Sequence, residues 1–172
     1  MTDPKLSPLS RGVRRKPWPL VVMVALVAVA ATGWWLATRG GDLADRRAEV
    51  AARGADVMPF DLTRTTHVFS KNATGGVQTV TANDPADTTQ IELIRGHLRE
   101  EATKFTRGDF ADPAAIHGHD MPGLAELRAG AARVDVRYEQ LEDGATLSYS
   151  TEEPQLVKGI HAWFEAQSSD HG

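Results

Sequence analysis

Two histidines and a methionine fall within five residues in a Pro- and Gly-rich segment near the middle of the chain. If this segment is extended, side chains alternate in direction, so His117, His119 and Met121 point to the same side. Imidazole suits copper, zinc and nickel, and an added thioether favours copper, especially Cu(I). The spacing therefore predicts a transition-metal site for copper. The alternative is a structural loop in which Met121 and Leu124 pack into the core while both histidines face solvent.

Two further histidines occupy corresponding places in two predicted helices. His97 lies three residues after Ile94, and His161 lies three residues before Phe164, each at the margin of an apolar stripe. If the two halves of the domain are related by symmetry, both rings could approach a metal and complete its ligand set. The alternative is that each ring is partly buried and hydrogen-bonded within its own helix packing.

Several other chemistries have little support in the sequence. The chain has no cysteine, which excludes disulfides, thiolate metal sites and thiol nucleophiles. The acidic pairs Glu100-Glu101 and Glu152-Glu153 are expected on a helix surface or in a first turn, so we predict no general acid or base. No Gly-rich phosphate loop follows a strand and opens a helix, and Gly75-Gly76 is expected to form a turn.

An uncharged stretch of 21 residues, positions 18–38, is long enough to cross the hydrocarbon layer as one helix. Residues 1–17 carry five basic side chains and one acid, so this basic arm is expected to stay in the cytoplasm. The rest of the chain then lies outside, and the protein is a single-pass protein of the cytoplasmic membrane. The alternative is a secreted domain, released by cleavage near residues 28–30.

The part of the chain after the basic arm is acidic, with a net charge of −8. This charge repels phosphate backbones, so nucleic acid is not an expected partner. The expected partners are the lipid bilayer, through residues 18–38, and a protein of a membrane complex.

The remaining sequence divides into a linker and one domain. Residues 39–59 are expected to form a stalk, helical in its 43–53 part, and residues 60–172 an extracytoplasmic α+β domain. Two β-prone runs, Thr65–Ser70 and Val77–Ala82, predict a hairpin. A helix should start at Asn83-Asp84-Pro85, because apolar residues recur every three or four positions up to Gly108. These residues are Ile91, Ile94, Leu98, Ala102 and Phe105.

The same order returns in the second half of the domain. Alternating residues predict a second hairpin over 134–139 and 145–150, and Pro154 opens a final amphipathic helix. The predicted fold is therefore ββαββα, a four-stranded, mainly antiparallel sheet with two helices on one face, preceded by the transmembrane helix.

Short strings spread over residues 60–172 resemble a family of small bacterial proteins commonly labelled aspartate carbamoyltransferase. The strings are Thr66-His67-Val68-Phe69, Gly75-Gly76-Val77-Gln78-Thr79-Val80, Ile116-His117-Gly118, Asp120-Met121-Pro122-Gly123-Leu124 and His161-Ala162-Trp163-Phe164. The label implies carbamoyl phosphate binding by a Ser-Thr-Arg-Thr loop. Residues Leu62-Thr63-Arg64-Thr65 are similar to that loop, with Leu in place of its first Ser.

Three functions remain open after these observations. The first is a membrane-anchored extracytoplasmic binding domain that handles copper or another transition metal. The second is a non-enzymatic accessory protein that binds a membrane-complex partner through an exposed sheet face or the central loop. The third is a carbamoyltransferase-like enzyme, as the resemblance implies.

Overall fold

The computed structural model describes residues 44–171. The predicted basic arm, transmembrane helix and first residues of the stalk lie outside this range. Within it, no helix combines the length and apolar character needed to cross a bilayer.

Four strands form one antiparallel sheet, as the sequence predicts. They are β1 (Thr65–Asn72), β2 (Gly75–Ala82), β3 (Asp135–Gln140) and β4 (Gly144–Ser150). Their order across the sheet is β1-β2-β4-β3, so each hairpin contributes one central and one edge strand. This arrangement is the one expected if two ββα halves pack side by side.

Gly75 and Gly76 are not in the turn, which corrects the sequence interpretation. They begin β2, and the turn consists of Ala73 and Thr74. The reason is close packing: a Cβ on Gly76 would lie 2.5 Å from the ring of Phe164. The glycine lets the final helix approach the start of the strand.

Five helices occur among the described residues, where the sequence predicted two in the domain. They are α1 (residues 44–57), α2 (Thr88–Phe105), α3 (Ala111–His117), α4 (Leu124–Gly130) and α5 (Pro154–His171). Helix α2 begins after Asp87, whose side chain accepts a hydrogen bond from the Gln90 amide, and not at Asn83-Asp84-Pro85. Helix α5 begins at Pro154, as predicted.

The core lies between the sheet and helices α2 and α5. All five residues of the predicted α2 stripe are buried, and so are Leu156, Ile160, Trp163 and Phe164 of α5. All of them except Leu156 join one core with inward-facing side chains of β2 and β4, including Val80, Leu147 and Tyr149. The predicted apolar stripe of α2 is therefore confirmed, and so is that of α5 except at its fifth predicted member, Val157, which is only partly buried.

Helix α1, the helical part of the predicted stalk, contacts the domain. Val50 is buried, and Gly54 lies so close to Leu62 that a Cβ on the glycine would be 2.9 Å from its Cδ1. Arg46 forms an ion pair with Asp170 near the end of α5. Residues 44–57 thus pack as part of the same compact unit as the sheet.

Candidate functional site

A cavity of about 30 Å³ lies between α2, α3, α5 and the sheet. Three helices line it, and each contributes two polar or aromatic side chains that can form hydrogen bonds. These are His97 and Glu101 of α2, Asp112 and His117 of α3, and Trp163 and Gln167 of α5. The pairs on α2 and α5 are four residues apart, so each pair faces the same side of its helix.

Three polar atoms of the cavity wall have no hydrogen-bond partner among the described residues. They are Glu101 Oε1, Trp163 Nε1 and Gln167 Nε2. Their residues are only 5%, 1% and 6% exposed, respectively, so bulk water does not satisfy them. A buried polar group without a partner costs about 1–3 kcal/mol. Such atoms around a single cavity mark the place where a ligand can supply the missing partners.

Glu101 belongs to a charged cluster that includes Lys104 and Asp112. Lys104 Nζ lies 2.7 Å from Asp112 Oδ2 and 3.2 Å from Glu101 Oε1, although the second contact lacks hydrogen-bond geometry. Burial raises the pKa of Glu101 to about 8, and the hydrogen bond with Asp112 acts in the same direction. Glu101 is therefore a neutral carboxylic acid at pH 7. Glu100 is exposed as predicted, whereas the surface position predicted for Glu101 is wrong.

Asp112 keeps its negative charge beside this acid. Burial alone raises the pKa of Asp112, but hydrogen bonds from Lys104 and Glu101 outweigh it and hold the pKa below its ordinary value. The carboxylate of Asp112 and the ammonium of Lys104 thus compensate each other next to the cavity. With Glu101 neutral, the cluster offers a polar wall with no uncompensated charge.

The ring of His117 is fixed by a hydrogen-bonded chain that reaches α1. His117 Nδ1 lies 2.9 Å from Asp170 Oδ2, and Arg46 donates to both oxygens of Asp170 at 2.7 and 2.9 Å. Burial lowers the pKa of His117, although Asp170 opposes the shift, so the ring is neutral at pH 7. Because a carboxylate only accepts, the proton of the neutral ring lies on Nδ1.

The three residues of the predicted copper site occupy different environments. His117 is buried at the last position of α3 and lines the cavity, His119 is exposed in the following turn, and Met121 is buried in the core. The extended conformation assumed for this segment is wrong over residues 111–117. Asp112 and Pro113 stand in the first turn of α3, where both residue types favour a helix.

His97 and His161, which occupy corresponding places in α2 and α5, also lie in different environments. His97 lines the cavity and its ring contacts Phe60 edge-on, with burial lowering its pKa. His161 Nε2 lies 2.9 Å from the carbonyl oxygens of Asn72 and Gly75, where it holds the first hairpin turn. Across residues 44–170, His, Asp and Glu side chains form no group of three or more that could hold a metal ion.

Arg64, the residue that the carbamoyltransferase resemblance assigns to a phosphate, lies away from the cavity. It closes a short 3-10 turn, Leu62–Arg64, and pairs with Asp87, the residue that caps α2. In this position its guanidinium stabilises the start of a helix.

Glu101, Trp163 and Gln167 were not predicted as site residues. Trp163 is a member of the predicted apolar stripe of α5, so the periodicity assigns it to the core. Gln167 comes one turn later on the same side of the helix, and the periodicity gives no reason for a polar residue there. The available signal is a Gln four residues after a Trp on the buried side of a helix, since both side chains carry N–H groups that need acceptors. Comparison with known proteins adds no assignment, because no family model, curated protein or solved structure matches the chain.

Proposed function

We propose that the chain is a membrane-anchored binding protein whose extracytoplasmic domain holds the hydroxyl end of a small, uncharged ligand. The site is the cavity between α2, α3 and α5. The observation that carries the proposal is the set of three unsatisfied, buried polar atoms that belong to residues lining this cavity. A ligand that pairs with all three removes a cost of about 1–3 kcal/mol for each atom.

The hydrogen-bonding pattern of these atoms selects the ligand group. The Trp163 indole and the Gln167 amide each donate, whereas the Glu101 carbonyl oxygen accepts when the acid is protonated. A hydroxyl oxygen accepts two hydrogen bonds and its proton donates one, which is the complement of this set. An anionic group has no proton to donate to the Glu101 oxygen. A cationic group cannot accept hydrogen bonds from the N–H groups of Trp163 and Gln167.

The size of the cavity limits how much of a ligand it can enclose. A cavity of about 30 Å³ is small, so it can enclose a hydroxyl group or another ligand group of a few atoms but not a whole larger molecule. The rest of the molecule must extend toward solvent. The partly exposed residues of the wall are Met58, Gln78, His97 and Asp112, and the ligand would leave the cavity beside residues of this set.

The membrane location remains part of the proposal and depends on residues 18–38 and the basic arm. Protease added outside intact spheroplasts should digest the domain. If the domain is protected there and is cleaved only after the cells are opened, the predicted orientation is wrong.

Trp163 provides a direct test of ligand binding. Replacing Trp18, Trp34 and Trp35 by Phe leaves Trp163 as the sole tryptophan of the full chain. With this variant in detergent micelles, we expect glycerol and 1,2-ethanediol to shift the indole N–H resonance of Trp163 in a saturable manner. Acetate at the same concentrations should cause no saturable shift.

Two glutamines of α5 form a matched pair of variants for this titration. Gln167→Leu removes the amide donor in the cavity and should abolish the saturable shift, whereas Gln155→Leu changes an exposed position of the same helix and should retain it. A response to diols that does not saturate, or that survives Gln167→Leu, would contradict the proposed site.

Copper handling is the second candidate, and one observation favours it. Met58 lines the same cavity as His97 and His117, so a thioether and two imidazoles surround one space. This is the ligand chemistry that the sequence predicted at His117, His119 and Met121, with two of the three members replaced. The hydrogen bond from His117 to Asp170 resembles the carboxylate contacts that orient metal-binding histidines.

Competition for Cu(I) against bicinchoninate separates the two ligand sets. If the cavity binds copper, Met58→Leu and His97→Ala should weaken retention by the full chain while His119→Ala leaves it unchanged. The reverse result would favour the set His117, His119 and Met121. If the intact chain retains no Cu(I), both metal assignments are wrong.

A further inference from the structure

Helix α1 is connected to the wall of the cavity near both of its ends. Near the start of α1, Arg46 binds Asp170, which also binds the ring of His117, and Arg46 Nη2 lies 3.5 Å from the His117 carbonyl oxygen. At the other end, the amide of Met58 donates to the carbonyl oxygen of Gly54, so Met58 continues the hydrogen bonding of the helix. Met58 and His117 both line the cavity. The position of α1 therefore determines where two residues of the cavity wall lie.

The packing of α1 against the rest of the domain depends on a small number of buried residues. Within the range 44–57, only Val50 and Gly54 are buried. Val50 is 1% exposed, but it does not belong to the core between the sheet, α2 and α5. The ion pair that joins Arg46 to α5 is half-exposed on the arginine side. A segment with few buried contacts opens at a lower free energy than the core unfolds, so α1 can undock while the core stays folded.

We propose that α1, together with Met58, is a strap on the cavity: the ligand binds tightly only while α1 is docked, and the bound ligand holds α1 in place. This rests on the proposed function, because the occupant is the hydroxyl ligand. Undocking of α1 withdraws Met58 and removes the support that Arg46 gives to His117, so the cavity wall is incomplete and binds the ligand more weakly. The same coupling free energy acts in the other direction, and ligand binding shifts α1 toward the docked state.

The place of α1 in the chain gives this coupling a role in regulation. Residue 44 follows shortly after residues 18–38, the predicted transmembrane segment. With that segment as an anchor, docking and undocking of α1 change how the domain is connected to the membrane. The cavity then acts as the sensing site, and α1 carries its occupancy toward the anchor.

Amide hydrogen exchange of residues 48–57 measures the docking of α1. In the full chain in detergent micelles, glycerol at ten times its dissociation constant should slow this exchange by about tenfold, because a ligand that binds only the docked state protects it by mass action. Glycerol is also an osmolyte that favours compact states in general. Gln167→Leu, which lacks the amide donor of the cavity, is therefore the control and should show less than a twofold change. Gln155→Leu should respond as the unaltered chain does.

A charge introduced at Val50 tests the coupling in the other direction. Val50→Asp should undock α1, because a buried carboxylate without a partner is costly. In the chain with Trp163 as its sole tryptophan, this variant should bind glycerol about tenfold or more weakly, as judged by the indole N–H resonance. The domain should stay folded, since Val50 lies outside the core. The matched control is Ala51→Asp, which places the same charge at an exposed neighbouring position and should keep the original affinity.

The results distinguish failure of the strap from failure of the cavity. If the Trp163 resonance saturates with glycerol but exchange of residues 48–57 slows no more than in Gln167→Leu, the binding site stands and the strap is wrong. Equal glycerol affinities of Val50→Asp and Ala51→Asp would also overturn the strap. If Val50→Asp does not fold, the exchange measurement on the unaltered chain decides alone. If the Trp163 resonance of the unaltered site does not saturate, the proposed function fails and the strap fails with it.

Discussion

Replacement of Glu101 by Gln should remove a pH dependence of stability that arises from one buried acid. Burial raises the pKa of Glu101 from 4.5 to about 8 in the folded state. Between these two values the folded chain keeps a proton that the unfolded chain has released. The free energy of unfolding therefore falls as the pH rises through this window and levels off above the folded-state pKa.

The size of this loss follows from the linkage of one proton. With pKa values of about 8 and 4.5, stability between pH 7 and pH 9 falls by about 1.4 kcal/mol, a tenfold change in the unfolding equilibrium. The other groups with shifted pKa values change the pH dependence of stability outside the interval from pH 7 to pH 9. Burial lowers the pKa of His97 and His117, so they contribute only below pH 6.5. The pKa values of Lys104 and Tyr149 are raised, so they contribute only above pH 10.

Urea unfolding of the compact unit, residues 43–172, at pH 7, 8 and 9 measures this effect. The unaltered chain should lose about 1.4 kcal/mol over the series, and Glu101→Gln should lose little, because the amide has nearly the same shape and does not titrate. Glu100→Gln is the control, since that side chain is exposed, and it should keep the full loss. If Glu101→Gln keeps the pH dependence of the unaltered chain, the assignment of a buried neutral acid is wrong.

Two further comparisons use the same unfolding measurement. Asp170→Asn should lower the free energy of unfolding by about 2 kcal/mol or more, because Asp170 is buried and is bonded to both His117 and Arg46. Arg46→Ala should lower it by about 1 kcal/mol or less, because Arg46 is half-exposed. Equal losses would show that the His117 contact adds nothing. Gly123→Ala should destabilise by about 1–3 kcal/mol, because φ is +80° and a Cβ would lie 2.1 Å from a carbonyl oxygen. Gly96→Ala, in the exposed interior of α2 with no atom near the added Cβ, should instead stabilise by about 0.5–1 kcal/mol, and a loss there would contradict the packing of α2.

The long elements of the fold could be predicted because their side-chain periods are regular. Two β-prone runs predicted the first hairpin and alternation predicted the second, while the stripes from Ile91 to Phe105 and from Leu156 to Phe164 predicted α2 and α5. Helices α3 and α4 have only seven residues each and contain Pro, Gly and Ala, so neither presents a repeated apolar stripe. Their helical form depends on the first-turn residues and on packing against the core, which the periodicity does not register.

The candidate site was harder to predict than the fold, for two physical reasons. Glu101 follows a charged neighbour in the sequence, and a carboxylate is ordinarily solvated; only its position between Leu98 and Phe105 indicates that it faces inward. The predicted copper ligands depended on an extended backbone, in which alternate residues share a side. Because residues 111–117 are helical, His117 turns toward α5 while His119 remains in solvent.

The energetic cost of the cavity is the strongest reason to assign it a role. Leu at positions 101 and 167 would fill space, remove unsatisfied atoms and relieve the burial of an acid, and buried polar groups replaced by well-packed apolar ones are often neutral or stabilising. Packing alone therefore gives no reason for an acid, an indole N–H and an amide to converge around about 30 Å³. Local violations of the rules that stabilise a fold are expected at functional sites. The same reasoning makes Gln167→Leu informative, since it should raise stability while it abolishes diol binding, and a purely structural glutamine would do neither.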